Sequence, residues 1–184
     1  MKWYQPAACA VFAFLATYAF AQGAPLPPAS AAAATTDGRN ADTWLRDGDR
    51  VYMAYSPYTE HFRNNPEYVK HTHLVDLGIE SKYDTVWGAD RTLFGLTVFK
   101  NSYGQPSQYI YWGQRWDLKP WLYAKVTAGL LHGYKGKRKN SIPFNDLGVA
   151  PGIVPAIGVQ FGDVRAEAVV LGFSALMFTV GYRF

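Results

Sequence analysis

Apolar side chains alternate with small or polar ones over the last ten residues of the chain, ALMFTVGYRF. Leu176, Phe178, Val180, Tyr182 and Phe184 fall on one face of this segment, and Met177, Thr179, Gly181 and Arg183 fall on the other. This period of two predicts a β-strand. One face suits lipid and the other suits a partly polar interior, as in a transmembrane barrel strand. A soluble sandwich would also alternate, but a terminal aromatic residue is not expected there.

Similar segments, bounded by Gly, Pro, Asn and Asp, recur along the chain without a sustained helical period. They span residues 51–57, 72–83, 91–101, 107–117, 121–133, 153–161, 164–171 and 175–184. Their number is even, as in bacterial outer-membrane barrels. A final Phe after an alternating strand is similar to the C-terminal signal of outer-membrane proteins. The sequence therefore predicts an all-β fold, an eight-stranded antiparallel transmembrane β-barrel of the bacterial outer membrane.

The N-terminus predicts export. Lys2 precedes an apolar stretch over residues 7–20, and Ala19-Phe20-Ala21 matches an A-x-A cleavage signal. We expect residues 1–21 to be a signal peptide, 22–48 a flexible lead-in and 49–184 the barrel domain. A transmembrane helix is the weaker alternative because the apolar run is short and no stop-transfer charges follow it. The expected location is the Gram-negative outer membrane.

The formal net charge of +4 is too small to indicate a nucleic-acid partner. We expect a monomer whose partners are membrane lipids. The charged residues at inward positions are expected to neutralise one another inside a narrow barrel. They are Asp76, Glu80, Arg115, Lys125, Arg165 and Glu167.

Two further groups of residues bear on the interior and the surface of the barrel. A set of aromatic residues is expected to form girdles at the membrane interfaces: Tyr109, Tyr111, Trp112, Trp116, Trp121 and Tyr123. Small residues at inward positions either leave an elongated void for a ligand or merely relieve crowding. They are Gly78, Gly95, Gly113, Gly129, Ala156, Gly158 and Gly181.

With a periplasmic N-terminus, the outer loops are predicted at residues 58–71, 102–106, 134–152 and 172–174. The third carries Lys135, Lys137, Arg138 and Lys139, which either contact lipopolysaccharide phosphates or form a solvated loop.

His61 and Ser102 are expected to emerge at the same rim, where a histidine base and a hydroxyl suit acyl chemistry. Asn101 is a candidate hydrogen-bond donor to developing charge. A nonfunctional loop serine and loop histidine are the alternative. No metal site or cofactor is expected, because His61, His71, His73 and His132 lack a convincing set of further ligands.

Several short segments, in this order and at these places on the strands, together resemble the PagP family of lipid A palmitoyltransferases. They are Leu77-Gly78-Ile79, Phe94-Gly95-Leu96, Val98-Phe99-Lys100-Asn101-Ser102, Ser141-Ile142-Pro143, Ile153-Val154-Pro155-Ala156-Ile157-Gly158 and Arg183-Phe184. The resemblance covers about the C-terminal two thirds of the chain. It implies an outer-membrane enzyme that moves a palmitoyl chain from a phospholipid donor to lipid A.

The resemblance also implies roles for individual residues. Ser102 matches the family's catalytic serine, and His61 fits its histidine by loop position, with His71 and His73 as alternatives. Asn101 stands where the family has an aspartate, and it cannot carry the charge that would orient a histidine. Activity would then use the histidine–serine pair alone.

The family holds its acyl chain inside the barrel. Counting from the serine places Gly113 at or next to the glycine that forms the floor of the family's acyl site. Pro155 resembles a proline that interrupts the strand ladder and lets lipid pass sideways through the wall, because proline has no N–H to donate.

The leading prediction is therefore an acyltransferase acting on lipid A. A lipid A deacylase on the same barrel is the second hypothesis. A non-catalytic barrel for adhesion, envelope integrity or lipid binding is the third. A solute pore ranks last because eight strands leave little open lumen.

Overall fold

The structure is a computed structural model that describes residues 45–63, 65–69 and 71–184. The predicted signal peptide and most of the predicted lead-in lie outside the described residues. Eight strands follow one another: β1 (Arg50–His61), β2 (Leu74–Ser81), β3 (Arg91–Lys100), β4 (Pro106–Lys119), β5 (Leu122–His132), β6 (Val149–Phe161), β7 (Val164–Leu171) and β8 (Ala175–Arg183). A short 3-10 helix, Gly136–Ser141, lies between β5 and β6.

Each strand pairs antiparallel with its neighbour, and β8 pairs with β1 to close the barrel. Closure removes the free strand edges that an open sheet would expose. The predicted eight-stranded antiparallel fold is therefore confirmed. Among the described residues, no helix has the length and apolar character needed to cross a membrane.

The outer surface of the barrel is apolar on every strand. Large hydrophobic side chains that point outward and are exposed include Met53, Leu77, Phe94, Leu96, Ile110, Leu130, Ile153, Ile157, Val164, Phe178 and Val180. Their inward neighbours are buried, as Met177 and Thr179 show on the last strand. A continuous exposed apolar belt around a closed barrel is stable only in contact with lipid. The barrel is therefore of the transmembrane type, as the alternation in β8 predicts.

Two strands are longer than the sequence predicts. β1 runs to His61 instead of ending at residue 57, and it contains an irregularity in its pairing with β8 between Tyr55 and Tyr58. β6 begins at Val149 instead of residue 153. Prolines and glycines at these strand ends interrupt the alternating pattern, although the extended backbone continues. The loop between β5 and β6 is therefore confined to residues 133–148.

Below we call the end of the barrel where β1, β3, β5 and β7 finish the upper end. The opposite, lower half of the interior is filled by charged residues that pair with one another. Glu80 accepts hydrogen bonds from Arg115 at 3.1 Å and from Arg165 at 2.6 Å. Lys125 pairs with Glu167 at 2.7 Å. The predicted neutralisation is thus present for these five residues.

The inward aspartate is a partial exception. The nearest described partners of the Asp76 carboxylate are neutral, because it accepts hydrogen bonds from the hydroxyls of Thr97 and Tyr111. Hydroxyl donors satisfy a buried carboxylate without an ion pair.

Tyr109, Tyr111 and Tyr123 lie inside the barrel, so the prediction that they belong to interface girdles is wrong. Three interior tyrosines stand directly across the ladder from glycines: Tyr52 from Gly78, Tyr111 from Gly95, and Tyr123 from Gly158. A Cβ at each of these glycines would overlap the opposite ring. These glycines therefore relieve crowding, as ring-over-glycine pairs do in designed sheets, and they leave no void.

Candidate active site at the upper rim

A cavity occupies the upper half of the barrel and opens at the upper rim. Its walls are mainly apolar, and the residues that form them include Leu74, Phe99, Leu131, Val154, Val169, Leu171 and Met177. Asp76, Tyr111 and Lys125 line its lower part. Water-sized molecules can occupy about 140 Å³ of it. An apolar cavity with polar groups at its mouth and floor is the usual form of a small-molecule site.

His61 and Ser102 meet at the mouth of this cavity. His61 is the last residue of β1, and Ser102 is the second residue after β3. The His61 Nε2 atom lies 2.9 Å from the Ser102 Oγ atom, which is hydrogen-bonding distance. The predicted proximity of these two residues, 41 positions apart, is therefore present in the structure.

The loop that follows β1 folds over this pair. The Tyr68 ring lies against the His61 ring, with centroids 4.5 Å apart. The Val69 N–H donates to the Ser102 carbonyl oxygen at 2.9 Å. These contacts fix both the imidazole ring and the serine backbone from the same side.

Asn101 is buried, but its side chain is turned into its own loop. Its Oδ1 atom accepts hydrogen bonds from the backbone N–H groups of Tyr103 at 3.0 Å and Gln105 at 3.1 Å. Side chains of this type commonly hold turns in this way. The described contacts of Asn101 thus build the turn that presents Ser102, and they do not connect it to His61.

Three tyrosines complete the rim around Ser102: Tyr68, Tyr103 and Tyr134. The ring centroids of Tyr68 and Tyr103 are 5.5 Å apart, and those of Tyr103 and Tyr134 are 6.3 Å apart. Tyr134 lines the cavity together with Ser102. Sequence reasoning missed these residues, because in a chain with 13 tyrosines the residue type alone does not single them out.

The position of Tyr134 follows from the backbone on either side of it. Gly133 has a φ of 132°, and a Cβ there would overlap Ser107, so the chain can turn sharply after β5. Gln105 hydrogen-bonds both the N–H and the carbonyl of Lys135, at 3.1 and 3.2 Å. Burial raises the pKa of Tyr134. The phenol is therefore a neutral hydrogen-bond donor at physiological pH.

The other histidines lie away from Ser102. His71 Nδ1 is 3.2 Å from the Pro57 carbonyl oxygen, and His73 Nδ1 is 3.2 Å from the Tyr55 hydroxyl. His132 ends β5, opposite Gln108 and Val149. Within the described ranges, no group of three or more His, Cys, Asp or Glu side chains is arranged to hold a metal ion.

Gly113 and Pro155, the two residues predicted to contact the acyl chain, are placed differently relative to the cavity. Gly113 does not line the cavity, because Tyr111, the preceding inward residue of β4, lies at its lower end. Pro155 faces outward from β6, one residue above the last rung that joins β6 to β7, Ala156 to Val169. Above this rung β6 pairs with β5 alone among the described strands. The wall is thus interrupted beside the cavity.

This arrangement combines a base, a hydroxyl and a neutral phenol at the mouth of an apolar cavity. The imidazole can take a proton from the serine hydroxyl, and the phenol can donate a hydrogen bond to the carbonyl oxygen of an ester attacked by that hydroxyl.

By fold, the chain is a small eight-stranded transmembrane β-barrel. No family model matches it, and no curated protein matches it. Among solved structures, it is similar to a de novo designed transmembrane β-barrel, with 11% identity, a TM-score of 0.46, and coverage of 74% of this chain and 94% of the other. It is also similar to the Yersinia pestis outer membrane protein Ail in a phospholipid bilayer nanodisc, with 16% identity, a TM-score of 0.37, and coverage of 73% and 99%.

Proposed function

We propose that this protein transfers a fatty acyl chain from a membrane phospholipid to lipid A at the outer rim of the barrel. The observation that carries the proposal is the 2.9 Å contact between His61 Nε2 and Ser102 Oγ at the mouth of an apolar cavity. A nucleophile and base placed beside a cavity that fits a hydrocarbon chain suit an ester of that chain.

The proposed reaction is an ester exchange in two steps. Ser102 Oγ attacks the ester carbonyl of the donor while its proton passes to His61 Nε2, and the tetrahedral intermediate expels a lysophospholipid alcohol that takes this proton. An acceptor hydroxyl then loses its proton to His61 and attacks the acyl-serine. The second intermediate expels Ser102, which recovers the proton. Tyr134 donates a hydrogen bond to the former carbonyl oxygen, on which the negative charge of each tetrahedral intermediate develops.

The interrupted wall supports a lateral route for the donor. Pro155 cannot donate a ladder hydrogen bond, and the rungs between β6 and β7 stop next to it. Val154 and Val169, on either side of this interruption, also line the cavity. A phospholipid in the membrane can therefore pass its chain into the cavity without leaving the apolar environment.

The depth of the cavity bears on the acyl chain. Tyr111 at the floor lies five residue steps along β4 from Pro106 at the rim, or roughly 17 Å along the strand. A strand tilt of about 40° reduces this to roughly 13 Å along the barrel axis. C–C bonds of about 1.5 Å, joined at about 111°, advance about 1.3 Å per carbon along an extended chain, so this depth holds about ten carbons. The proposed substrate is thus an acyl chain shorter than palmitoyl, or one whose end stays outside the cavity.

Mass spectrometry of lipid A tests the proposal. Gram-negative cells would express the parent protein or one of the variants Ser102→Ala, His61→Ala and His71→Ala, each confirmed as folded in the outer membrane. We expect an acyl mass gain with the parent and with His71→Ala, the matched control. Loss of Ser102 or His61 should reduce this gain at least a hundredfold.

Other outcomes would replace the proposal. An acyl mass loss that requires Ser102 would indicate a lipid A deacylase, in which water takes the place of the acceptor. An unchanged lipid A profile with the folded parent protein would favour a non-catalytic barrel for lipid binding, adhesion or envelope integrity.

A further inference from the structure

The loop over residues 135–147, here called the basic loop, combines positive charge with exposed apolar side chains. It carries Lys135, Lys137, Arg138 and Lys139 against a single acidic residue, Asp146. Phe144 is 77% exposed and Leu147 is 94% exposed. Lysines beside exposed large apolar residues are typical of segments that bind at a lipid surface.

The basic loop is held in a defined position on the upper rim. The buried Asn145 side chain donates to the carbonyls of Tyr134 and Lys139, each at 2.9 Å. Arg138 pairs with Glu67 of the loop after β1, and its guanidinium lies 4.3 Å from the centroid of the Tyr103 ring. Arg138 therefore serves as an anchor.

The three lysines of the loop differ from Arg138. Within the described residues, no carboxylate lies within ion-pairing distance of Lys135, Lys137 or Lys139. Lys135 and Lys137 are exposed, and Lys139 is half-buried. These ammonium groups are available to an anionic partner.

Phe144 has a φ of 60°, in the left-handed region that side chains other than glycine rarely adopt. The large apolar ring of this residue is exposed. Strained residues of this kind persist where the surrounding structure holds them, and they concentrate at functional sites.

Charge also differs between the two ends of the barrel. The connections at the upper end contain six Lys or Arg residues and two Asp or Glu residues, whereas those at the lower end contain one and three. The positive charge is therefore concentrated on the side that carries the His61–Ser102 pair.

We propose that the basic loop docks the phosphorylated head group of a glycolipid in the outer leaflet. Lys135, Lys137 and Lys139 contact its phosphates, and Phe144 and Leu147 enter the boundary between head groups and acyl chains. Because the loop begins next to Tyr134, a head group bound there places its hydroxyls beside Ser102. The inference deepens the proposed function by naming the surface that holds the acceptor.

Binding can be measured without turnover. The full chain carrying Ser102→Ala would be titrated in detergent micelles with bisphosphorylated lipid A and with the same lipid after enzymatic dephosphorylation, and bound lipid would be counted by native mass spectrometry. The test variant adds Lys135→Gln, Lys137→Gln and Lys139→Gln. The control instead adds Lys82→Gln and Lys119→Gln, which remove two positive charges at the lower end.

Each lysine is worth about fivefold in binding to an anionic lipid surface, so the triple variant should bind the phosphorylated lipid roughly a hundredfold more weakly. The dephosphorylated lipid and the lower-end control should change less than threefold. A Phe144→Asn variant, whose side chain tolerates the left-handed backbone, should bind both lipids about fivefold more weakly.

Two results would overturn the inference. One is an affinity of the triple variant for the phosphorylated lipid that lies within threefold of the affinity of the Ser102→Ala protein. The other is equal binding of the phosphorylated and dephosphorylated lipids by the Ser102→Ala protein. Failure of acyl transfer in cells together with phosphate-dependent binding in this assay would refute the proposed function and leave the docking surface intact.

Discussion

Replacing Glu80 by Gln is expected to destabilise the barrel by about 3–5 kcal/mol. Glu80 is fully buried and lies within 3.1 Å of Arg115 and 2.6 Å of Arg165. Both guanidinium groups are also buried, with side-chain exposures of 6% and 2%. Without the Glu80 charge, Arg115 keeps Asp117 at 2.8 Å, but the nearest carboxylate to Arg165 is that of Glu167 at 4.0 Å. A poorly compensated buried charge costs more than the original pair contributes.

The expected cost depends on burial, so a pair whose carboxylate is exposed provides the control. Asp163 pairs with Arg183 at 3.3 Å and is 51% exposed. Asp163→Asn should therefore cost at most about 1 kcal/mol. Reversible urea unfolding in phospholipid vesicles, followed by tryptophan fluorescence, would measure both variants under the same conditions. The expected cost of 3–5 kcal/mol for Glu80→Gln corresponds to roughly two to four powers of ten in the folding equilibrium constant.

A cost for Glu80→Gln that does not exceed the cost for Asp163→Asn would contradict this prediction. The charged layer in the lower half would then be hydrated enough to screen its charges. A double variant, Glu80→Gln with Arg165→Gln, adds a further check. It should be less destabilised than the sum of its two single variants, because each single variant leaves the other residue unpaired.

Three further predictions concern the upper half of the barrel. Tyr111→Ala should extend the cavity toward Gly113 and lengthen the accepted acyl chain by about four carbons, measured by mass spectrometry of the product. Asn101→Ala should cost about 1–3 kcal/mol in urea unfolding because two loop N–H groups lose their acceptor, whereas Asn101→Asp should keep this acceptor and change acyl transfer less than threefold. Tyr134→Phe should lower the transfer rate about a hundredfold at neutral pH. Burial raises the pKa of Tyr134 above its ordinary value of 10.0, so its contribution should be full below that pH and disappear as pH rises through the raised pKa.

Each of these predictions has a result that contradicts it. An unchanged product length for a folded Tyr111→Ala variant would place the floor elsewhere. A large gain in activity for Asn101→Asp would indicate that this side chain leaves its turn to assist His61. Identical pH–rate profiles for the parent and Tyr134→Phe would exclude a role for the phenol.

The candidate site was only partly predictable. The positions of His61 and Ser102 at one rim follow from counting strands, because antiparallel strands return to the same end. Their separation of 2.9 Å depends on the extension of β1 by four residues beyond its expected end. The role of Asn101 in its turn was not predictable, since an amide suits a loop hydrogen bond as well as a reactive centre.

The number of strands and their alternation could be predicted from the sequence, because these are local properties of a chain with period two. The faces of Tyr109, Tyr111 and Tyr123 could not, because an aromatic ring suits a membrane interface as well as a barrel interior. On every strand, apolar residues then occupy the positions that face lipid, and polar or small residues occupy many of those that face the narrow interior. The tertiary structure alone decided which inward residues meet: tyrosines over glycines, Glu80 between two arginines, and Tyr111 at the floor of the cavity. The physical reason is that closure fixes the register of each strand against its neighbours, and the register is not encoded in any one strand.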